Sequence, residues 1–144
     1  VIGAYRTDIL EQAGYTTADL TDIDWNRFIE IGKDVKAKTG TYMLSGQADS
    51  PDTIMMMLQS AGASLFDEDG KPAMTDNDAL KECIDIYKTM VDEGIYLEVN
   101  KWDDYVTSIT KGSVAGVING NWISLLSRVW KIQPANGKSQ ICRN

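Results

Sequence analysis

The segment that most constrains this chain is an apolar run over residues 114–118, followed directly by Asn119, Gly120 and then Trp122. Short apolar runs bounded by turn residues are typical of buried strands, so the sequence predicts a strand over 114–118. Gly120 allows a ligand to approach the backbone, and Trp122 opens a helical stretch whose first N–H groups are free. Two interpretations of Trp122 follow: it is a core residue, or its ring faces something neutral and polar, such as a sugar.

Charge and the absence of histidine exclude several classes of function. The chain has 144 residues, 21 acidic and 14 basic, with a net charge of -7, so nucleic acid is not an expected partner. It has no histidine, which removes Ser-His-Asp and Cys-His catalysis and the commonest metal ligand. Cys83 and Cys142 fit neither a disulfide scaffold nor a zinc site. We therefore expect no catalytic residue, no metal and no cofactor.

The length allows one domain with a real core, and no apolar run reaches the roughly 20 residues needed to cross a bilayer. Val1 begins in what reads as the middle of a strand, so we expect the chain to be cut from a longer protein. We expect membrane association only through an anchor that is absent from this chain.

Capping residues and glycines mark the first two helices. The segment Asp8-Ile9-Leu10-Glu11 resembles a capping box for a short helix that ends at Gly14. Residues 16–22 are predicted to be a polar connection, after which Asp24 caps a longer helix ending at Gly40. Helical spacing predicts that the buried face of this second helix consists of Trp25, Phe28, Ile29, Gly32 and Val35.

The middle of the chain is predicted to hold a strand and two further helices. The strand covers residues 42–45, and Ser50 caps a helix whose apolar segment 54–58 is expected to be buried on most sides. Thr75 is predicted to cap the next helix, which ends at Gly94. Its core stripe is predicted to be Leu80, Cys83, Ile84, Tyr87 and Val91.

Two acidic clusters raise the question of a metal site or an enzyme. In the loop 67–71 the EF-hand pattern fails, because Gly70 at its sixth position would place Leu65 first and Asp76 twelfth. A turn is therefore the preferred interpretation. A glycosidase needs two carboxylates across the scissile bond, whereas Asp103 and Asp104 are sequence neighbours whose side chains diverge. An enzyme is the least favoured function.

Five segments, in order, resemble the extracellular solute-binding proteins of ABC sugar importers, the maltose-binding type. They are residues 5–14, 24–28, 58–72, 86–94 and, most strongly, Lys111 to Trp122. The resemblance implies a helix-rich α/β fold, one lobe of a periplasmic-binding-protein-like (type II) structure. Residues 1–131 would form a partial lobe that includes the strand 114–118. Residues 132–144 are a polar tail that does not resemble the family, and we expect it to be disordered or foreign to it.

The same resemblance implies a substrate-capture role, with a sugar or oligosaccharide bound in a cleft between two lobes. Trp122 matches the aromatic residue that stacks on a sugar ring in many members. The loop and helix start around residues 49–52 would reach the cleft, where carboxylates accept hydrogen bonds from hydroxyl groups. Trp102 and Tyr105 are weaker candidates. The predicted ligand-binding residues are Trp122, Asn121, Gly120, Asn119, Asp49, Ser50, Asp52 and Trp102.

The family also implies an ABC permease as partner and an extracellular location, either as a cell-surface lipoprotein or in the periplasm. The first lobe, which precedes Val1 in the family, is absent from the sequence. A cleft with one wall cannot enclose a ligand, so we expect the chain alone to bind sugar weakly or not at all. Two alternatives stay open: a helical protein-interaction module that uses the methionine-rich helix, and a carboxylate-dependent glycosidase fragment.

Overall fold

The computed structural model describes residues 2–123, which form a short-stranded α/β structure. The helices are α1 (Thr7–Ala13), α2 (Trp25–Thr39), α3 (Asp52–Ser60), α4 (Asp78–Asp92) and α5 (Trp102–Thr110). The strands are β1 (Ile2–Tyr5), β2 (Leu44–Gln47), β3 (Tyr96–Val99) and β4 (Gly116–Asn119). Two 3₁₀ turns cover Thr17–Leu20 and Asn121–Ile123.

The strands form two pairs, and backbone hydrogen bonds connect one pair to the other. β1 lies antiparallel to β4, and β2 lies parallel to β3. Between the pairs, the N–H of Ala115 donates to the Tyr42 carbonyl at 2.8 Å, and that of Gly116 donates to the Met43 carbonyl at 2.9 Å. The start of β4 therefore lies beside the residues that precede β2, and the two pairs are adjacent in the order β1, β4, β2, β3.

Two apolar clusters hold the helices on these strands. The larger cluster lies between α1, α2, α3 and α4 and contains fully buried Phe28, Ile31 and Leu58. The smaller cluster, which includes Ile109 and Val117, packs α5 against β4. Burial of each such side chain contributes about 1.5–3 kcal/mol of transfer free energy. This packing fixes α5 beside the end of β4.

Helix α2 confirms its predicted start and end. The Asp24 carboxylate accepts the Arg27 N–H at 2.7 Å, and Gly40 closes the helix in the left-handed region at φ 74°. Both features follow from local chemistry, a capping oxygen and a residue without Cβ. Four of the five predicted face residues are buried, namely Phe28, Ile29, Gly32 and Val35, and Trp25 is half-buried.

Near the N-terminus, one predicted cap is wrong and one connection is more regular than expected. Helix α1 begins at Thr7, so Asp8 lies in the first turn and pairs with the Arg6 guanidinium instead of capping. The predicted end of α1 is confirmed, since Gly14 has φ 87°. The polar connection contains a 3₁₀ turn closed by a capping box between Thr16 and Asp19.

Helix α4 differs from its prediction in its cap and in one face residue. Asn77, not Thr75, is the cap, because its side chain accepts the Leu80 N–H at 3.0 Å. The Asn77 amide also donates to two carbonyls of the preceding loop, a tertiary constraint that sequence spacing does not reveal. The predicted stripe is wrong at Ile84, which is 45% exposed, whereas Met90 is buried.

Helix α3 is less buried than predicted and begins one residue later. Its N-cap is Pro51, with the Ser50 hydroxyl accepting the Asp52 N–H at 3.3 Å. In the apolar segment, Met57 and Leu58 are buried, while residues 54–56 are half-buried because one side of the helix faces outward. The predicted strand 42–45 is observed two residues later, as β2. The sequence did not suggest β3.

Two further predictions concern loops and strands. The acidic loop is a turn, as predicted: the Asp67 carboxylate accepts the N–H groups of Asp69 and Lys71, and Gly70 has φ 75°. The strand 114–118 is confirmed with a shift, because Val114 forms an isolated bridge and β4 covers Gly116–Asn119. Within residues 2–123, no helix is long and apolar enough to span a membrane. The helical stretch after Ile123, the tail 132–144 and Cys142 lie outside the described residues.

Candidate functional site

Two tryptophan rings meet at the surface beside the end of β4. Trp122 is 45% exposed and Trp102 is 47% exposed, and their ring centroids lie 5.6 Å apart with planes inclined by 38°. Trp102 also contacts the ring of buried Tyr105, with centroids 5.4 Å apart. We call Trp102 and Trp122 the tryptophan pair. Exposed neighbouring rings of this size are uncommon on a surface unless they meet a partner.

The backbone at the end of β4 is built to hold this pair. The Asn119 side-chain oxygen accepts the Gly120 N–H at 2.8 Å. A Cβ at Gly120 would lie 2.9 Å from Cδ1 and 3.0 Å from Nε1 of Trp122, closer than real Cβ contacts. The Trp122 ring therefore lies over position 120 only because that residue is glycine.

A small polar pocket adjoins the tryptophan pair. It lies where β2 and β4 end and where α3 and α5 begin, the place where open α/β sheets commonly bind ligands. Its volume of about 30 Å³ holds roughly one water-sized group. The lining residues are Ser45, Gly46, Gln47, Ser50, Asp52, Thr53, Met56, Trp102, Tyr105, Ile118 and Asn119.

The start of α3 is anchored to β3 from below the pocket. The hydroxyl groups of Thr53 and Tyr96 are hydrogen-bonded at 2.7 Å. A side chain at Gly46 would overlap the Tyr96 hydroxyl, so glycine at this position makes that bond possible. Asp52, next to Thr53, is thereby held at the pocket wall.

Burial raises the pKa of two tyrosines at the site, Tyr105 in the pocket lining and Tyr96 beside the start of α3. Burial raises the pKa of Tyr105, and the Asp52 charge raises it further, while the hydrogen bond from Asn119 opposes the shift. Burial also raises the pKa of Tyr96 to about 12, against the opposing effect of the Thr53 bond. The charge of Asp52 makes a smaller contribution to the raised pKa of both phenols. At neutral pH the tyrosines are therefore hydrogen-bonding groups and not charges.

The structure brings together most, but not all, of the predicted ligand-binding residues. Ser50, Asp52, Trp102 and Asn119 line the pocket. Gly120 and Trp122 adjoin it through the contact between the two tryptophan rings. Asp49 and Asn121 are exposed and do not line it. Both Asp49 and Ser50 belong to the loop before α3, but Asp49 is exposed and only Ser50 lines the pocket.

Several lining residues were not predicted from the sequence. Ser45, Gly46, Gln47, Thr53, Met56 and Ile118 belong to this group. Three of them lie on β2, which begins and ends two residues later than predicted. Its partner strand, β3, was not predicted. A strand prediction extended to Gln47 would have placed its end beside the start of α3 and suggested them.

Comparison with known sequences gives a family and two named relatives. Residues 2–139 match the bacterial extracellular solute-binding protein family. The lactose-binding protein of Rhizobium radiobacter is 42% identical over 120 residues, which is 83% of this chain and 28% of that protein. The arabinooligosaccharide-binding protein of Halalkalibacterium halodurans is 31% identical over 67 residues, 46% of this chain and 14% of that protein.

Solved structures share the fold. The GacH receptor of Streptomyces glaucescens, studied unliganded and with acarbose, has a TM-score of 0.71 at 21% identity, over 92% of this chain and 36% of that one. A sugar transporter from Arthrobacter chlorophenolicus with bound laminaribiose has a TM-score of 0.69 at 19% identity, over 88% and 33%. These likenesses confirm the predicted fold class, a partial lobe of a periplasmic-binding-protein-like structure.

The chain thus spans between about a seventh and about a third of the length of these relatives. The family match covers nearly all of this chain, including every strand and helix described above. The chain belongs to the bacterial extracellular solute-binding protein family.

Proposed function

We propose that this chain supplies one wall of the cleft in which the substrate-capture component of an ABC importer binds a neutral sugar. The observation that carries the proposal is the exposed tryptophan pair beside a polar pocket. The C–H faces of a sugar ring are apolar and suit the flat face of an indole, while its edges carry hydroxyl groups. Asp52, Ser50 and Asn119 offer hydrogen-bonding partners for those edges.

The charge of the lining favours a neutral ligand. Asp52 is the one ionised side chain among the lining residues, and none of them is Lys or Arg. An anionic substrate would therefore meet a like charge with no compensating cation. Neutral sugars meet no such repulsion, and a carboxylate strengthens the hydrogen bonds that their hydroxyl groups donate.

The relatives suggest a first ligand to test. The longer of the two sequence matches described above is to a protein named for lactose binding, and a structural neighbour holds another disaccharide, laminaribiose. We therefore choose lactose as the primary probe and laminaribiose as the second.

One wall does not make a complete site. Ligand pockets commonly enclose about 300–1,000 Å³, whereas the pocket here has about 30 Å³. Affinity in a two-lobed receptor comes from burying the sugar between both walls. We propose that the 144-residue chain alone binds sugar weakly or not at all.

Membership of the family supports proposals about location and partners. We propose that the complete receptor works outside the cytoplasmic membrane, in the periplasm or as a lipid-anchored cell-surface protein, and delivers its sugar to an ABC permease. We also propose that it is not an enzyme: Asp103 and Asp104 are exposed in the first turn of α5 and do not line the pocket.

The alternative of a methionine-rich interaction module has little support. In α3, Met57 is buried, Met55 packs against the core and Met56 lines the pocket. These methionines are therefore already engaged within the fold, and they leave the helix no unpartnered methionine stripe.

Isothermal titration calorimetry of the full-length gene product tests the proposal. We expect saturable binding of at least one neutral disaccharide from a panel that includes lactose and laminaribiose. The 144-residue chain, titrated in parallel, should show no binding at micromolar sugar. The proposal is contradicted if no neutral sugar binds the full-length product, and the one-wall interpretation is contradicted if the short chain binds with micromolar affinity.

A further inference from the structure

The hydrogen bonds around Asn119 fix the direction in which Tyr105 can donate its proton. A backbone N–H is a donor only, so the Asn119 atom 2.8 Å from the Gly120 N–H must be the side-chain oxygen. The Asn119 amide nitrogen then faces the Tyr105 hydroxyl, to which it donates at 3.1 Å. Tyr105 is therefore the acceptor in this bond, and its own proton is not used there.

That proton is available to the pocket. Within residues 2–123, Asn119 is the hydrogen-bond partner found for the Tyr105 hydroxyl, although the residue is 4% exposed. Tyr105 also lines the pocket. An ordinary tyrosine keeps its proton at neutral pH, and burial raises the pKa of this phenol further. A buried donor without an acceptor is unfavourable, and a ligand atom entering the pocket would supply the acceptor.

We propose that Tyr105 is a specificity-determining residue, whose hydroxyl donates a hydrogen bond to one hydroxyl group of the sugar that stacks on the tryptophan pair. This inference rests on the proposed function and adds the chemical group that the pocket recognises.

The pocket suits a hydroxyl group in size and polarity. About 30 Å³ accommodates one such group, while the ring itself is too large and stays outside against the indoles. A hydroxyl group can accept the Tyr105 proton and donate its own to the Asp52 carboxylate, which lines the same pocket. An ammonium group cannot accept from Tyr105, and a carboxylate is repelled by Asp52. The hydroxyl group satisfies both partners at once.

The test combines protein variants with ligands that each lack one hydroxyl group. Calorimetry of the full-length gene product compares lactose, or the panel disaccharide that binds most tightly, with its singly deoxygenated analogues. Sites built to hydrogen-bond a substrate hydroxyl discriminate strongly against the analogue without it. We expect one analogue to bind at least about tenfold more weakly than the parent sugar to the wild type.

Tyr105→Phe should reduce that one discrimination. The parent sugar should bind about two- to tenfold more weakly, and the penalty for that analogue should fall by the same factor, leaving the share that belongs to Asp52, while the penalties for the others remain. Asn119→Asp keeps an oxygen for Gly120 but accepts the Tyr105 proton, so it should reduce the same discrimination with the phenol intact. Tyr87→Phe, which removes a hydroxyl group outside the pocket, is the matched control and should leave every penalty unchanged.

The outcomes separate this inference from the proposed function. If the wild type binds a disaccharide but discriminates against none of its analogues, or if Tyr105→Phe and Asn119→Asp leave the pattern of penalties intact, the role of Tyr105 is overturned alone. If the wild type binds no neutral sugar, the proposed function falls and this inference falls with it. Urea unfolding of both variants shows whether a loss of binding reflects a loss of fold.

Discussion

At the scale of single residues, glycines decide where the larger side chains of the site can lie. Gly120 leaves room for the Trp122 ring, and Gly46 leaves room for the Tyr96 hydroxyl beneath the start of α3. Neither requirement involves an unusual φ angle, since both glycines lie outside the positive-φ set. The constraint at each position is space, and it is visible only when the partner ring is known.

Substitution at Gly46 tests directly whether the space taken by the Tyr96 hydroxyl requires glycine at this position. Gly46→Ala would force the Tyr96 hydroxyl away from Thr53, and overpacking of this kind destabilises by about 1–3 kcal/mol. We expect that loss in urea unfolding of the full-length gene product. The double variant Gly46→Ala with Tyr96→Phe should recover part of it, because the overlapping hydroxyl group is gone. If the double variant is less stable than the sum of the single variants predicts, steric overlap is not the cause.

The same tyrosine predicts how stability depends on pH. Burial raises the folded-state pKa of Tyr96 to about 12, above the value near 10 of an unfolded tyrosine. The contribution of protonated Tyr96 to the free energy of unfolding is therefore fully present below about pH 10. It is lost as the pH rises from 10 toward 12, by up to about 1.4 kcal/mol per pH unit. Tyr87, whose pKa is also raised by burial, acts in the same direction.

Unfolding experiments between about pH 8 and pH 11 measure this effect. Tyr96→Phe should be less sensitive to alkaline pH than the wild type, because it has no phenol to ionise at that position. An equal alkaline loss in the variant and the wild type would show that Tyr96 does not set this dependence.

At the scale of elements, the sequence predicted what local chemistry determines and missed what distant contacts determine. The Asp24 cap and the Gly14 and Gly40 stops depend on residues within one turn, and all three are confirmed. The cap of α4 was wrong, because Asn77 is selected by its bonds to a loop up to 13 residues earlier. Strand β3 was missed because it is four residues long and identified by its pairing with β2.

The same distinction holds for the candidate site. Trp122, Gly120 and Asn119 were predicted because they follow one another at the end of a recognisable strand. Thr53 and Met56 were missed because only the packing of α3 against the ends of β2 and β4 brings them to the pocket. Asp49 was included because of its position in the family pattern, and it stands outside the pocket.

The corrected face of α4 gives a prediction at this scale. Met90 is 1% exposed and Ile84 is 45% exposed, although helical periodicity placed Ile84 in the core. Met90→Ala should lower the free energy of unfolding by about 2–5 kcal/mol, because it leaves a cavity. Ile84→Ala should change it by less than about 0.5–1 kcal/mol. Urea unfolding of the two variants measures this difference. A loss of stability for Ile84→Ala larger than that for Met90→Ala would support the predicted core stripe that includes Ile84.

At the scale of the whole molecule, residues 2–123 place the candidate site where two small sheets meet. The tryptophan pair, the pocket and the start of α3 meet there because β2 and β4 are neighbours and end at the same edge. The chain spans about a third or less of the relatives to which it is similar. We therefore expect a complete cleft to require surface beyond these residues, and we expect sugar affinity to be a property of the full-length product.

One measurement tests whether Trp122 faces the sugar or belongs to the core. Lactose, or the tightest-binding panel disaccharide, is titrated calorimetrically into the full-length gene product carrying Trp122→Ala, with urea unfolding measured on the same protein. Trp25→Ala is the control, because Trp25 packs edge-on against Phe28 in α2, away from the pocket. The control should lower stability and leave sugar affinity unchanged.

We predict that Trp122→Ala weakens sugar binding by at least about thirtyfold, the effect of losing a central aromatic contact worth about 2 kcal/mol, and leaves the unfolding free energy within about 0.5 kcal/mol of the wild type. Unchanged sugar affinity would contradict the sugar-facing role of Trp122, and a loss of several kcal/mol of stability would show that its main role is in packing.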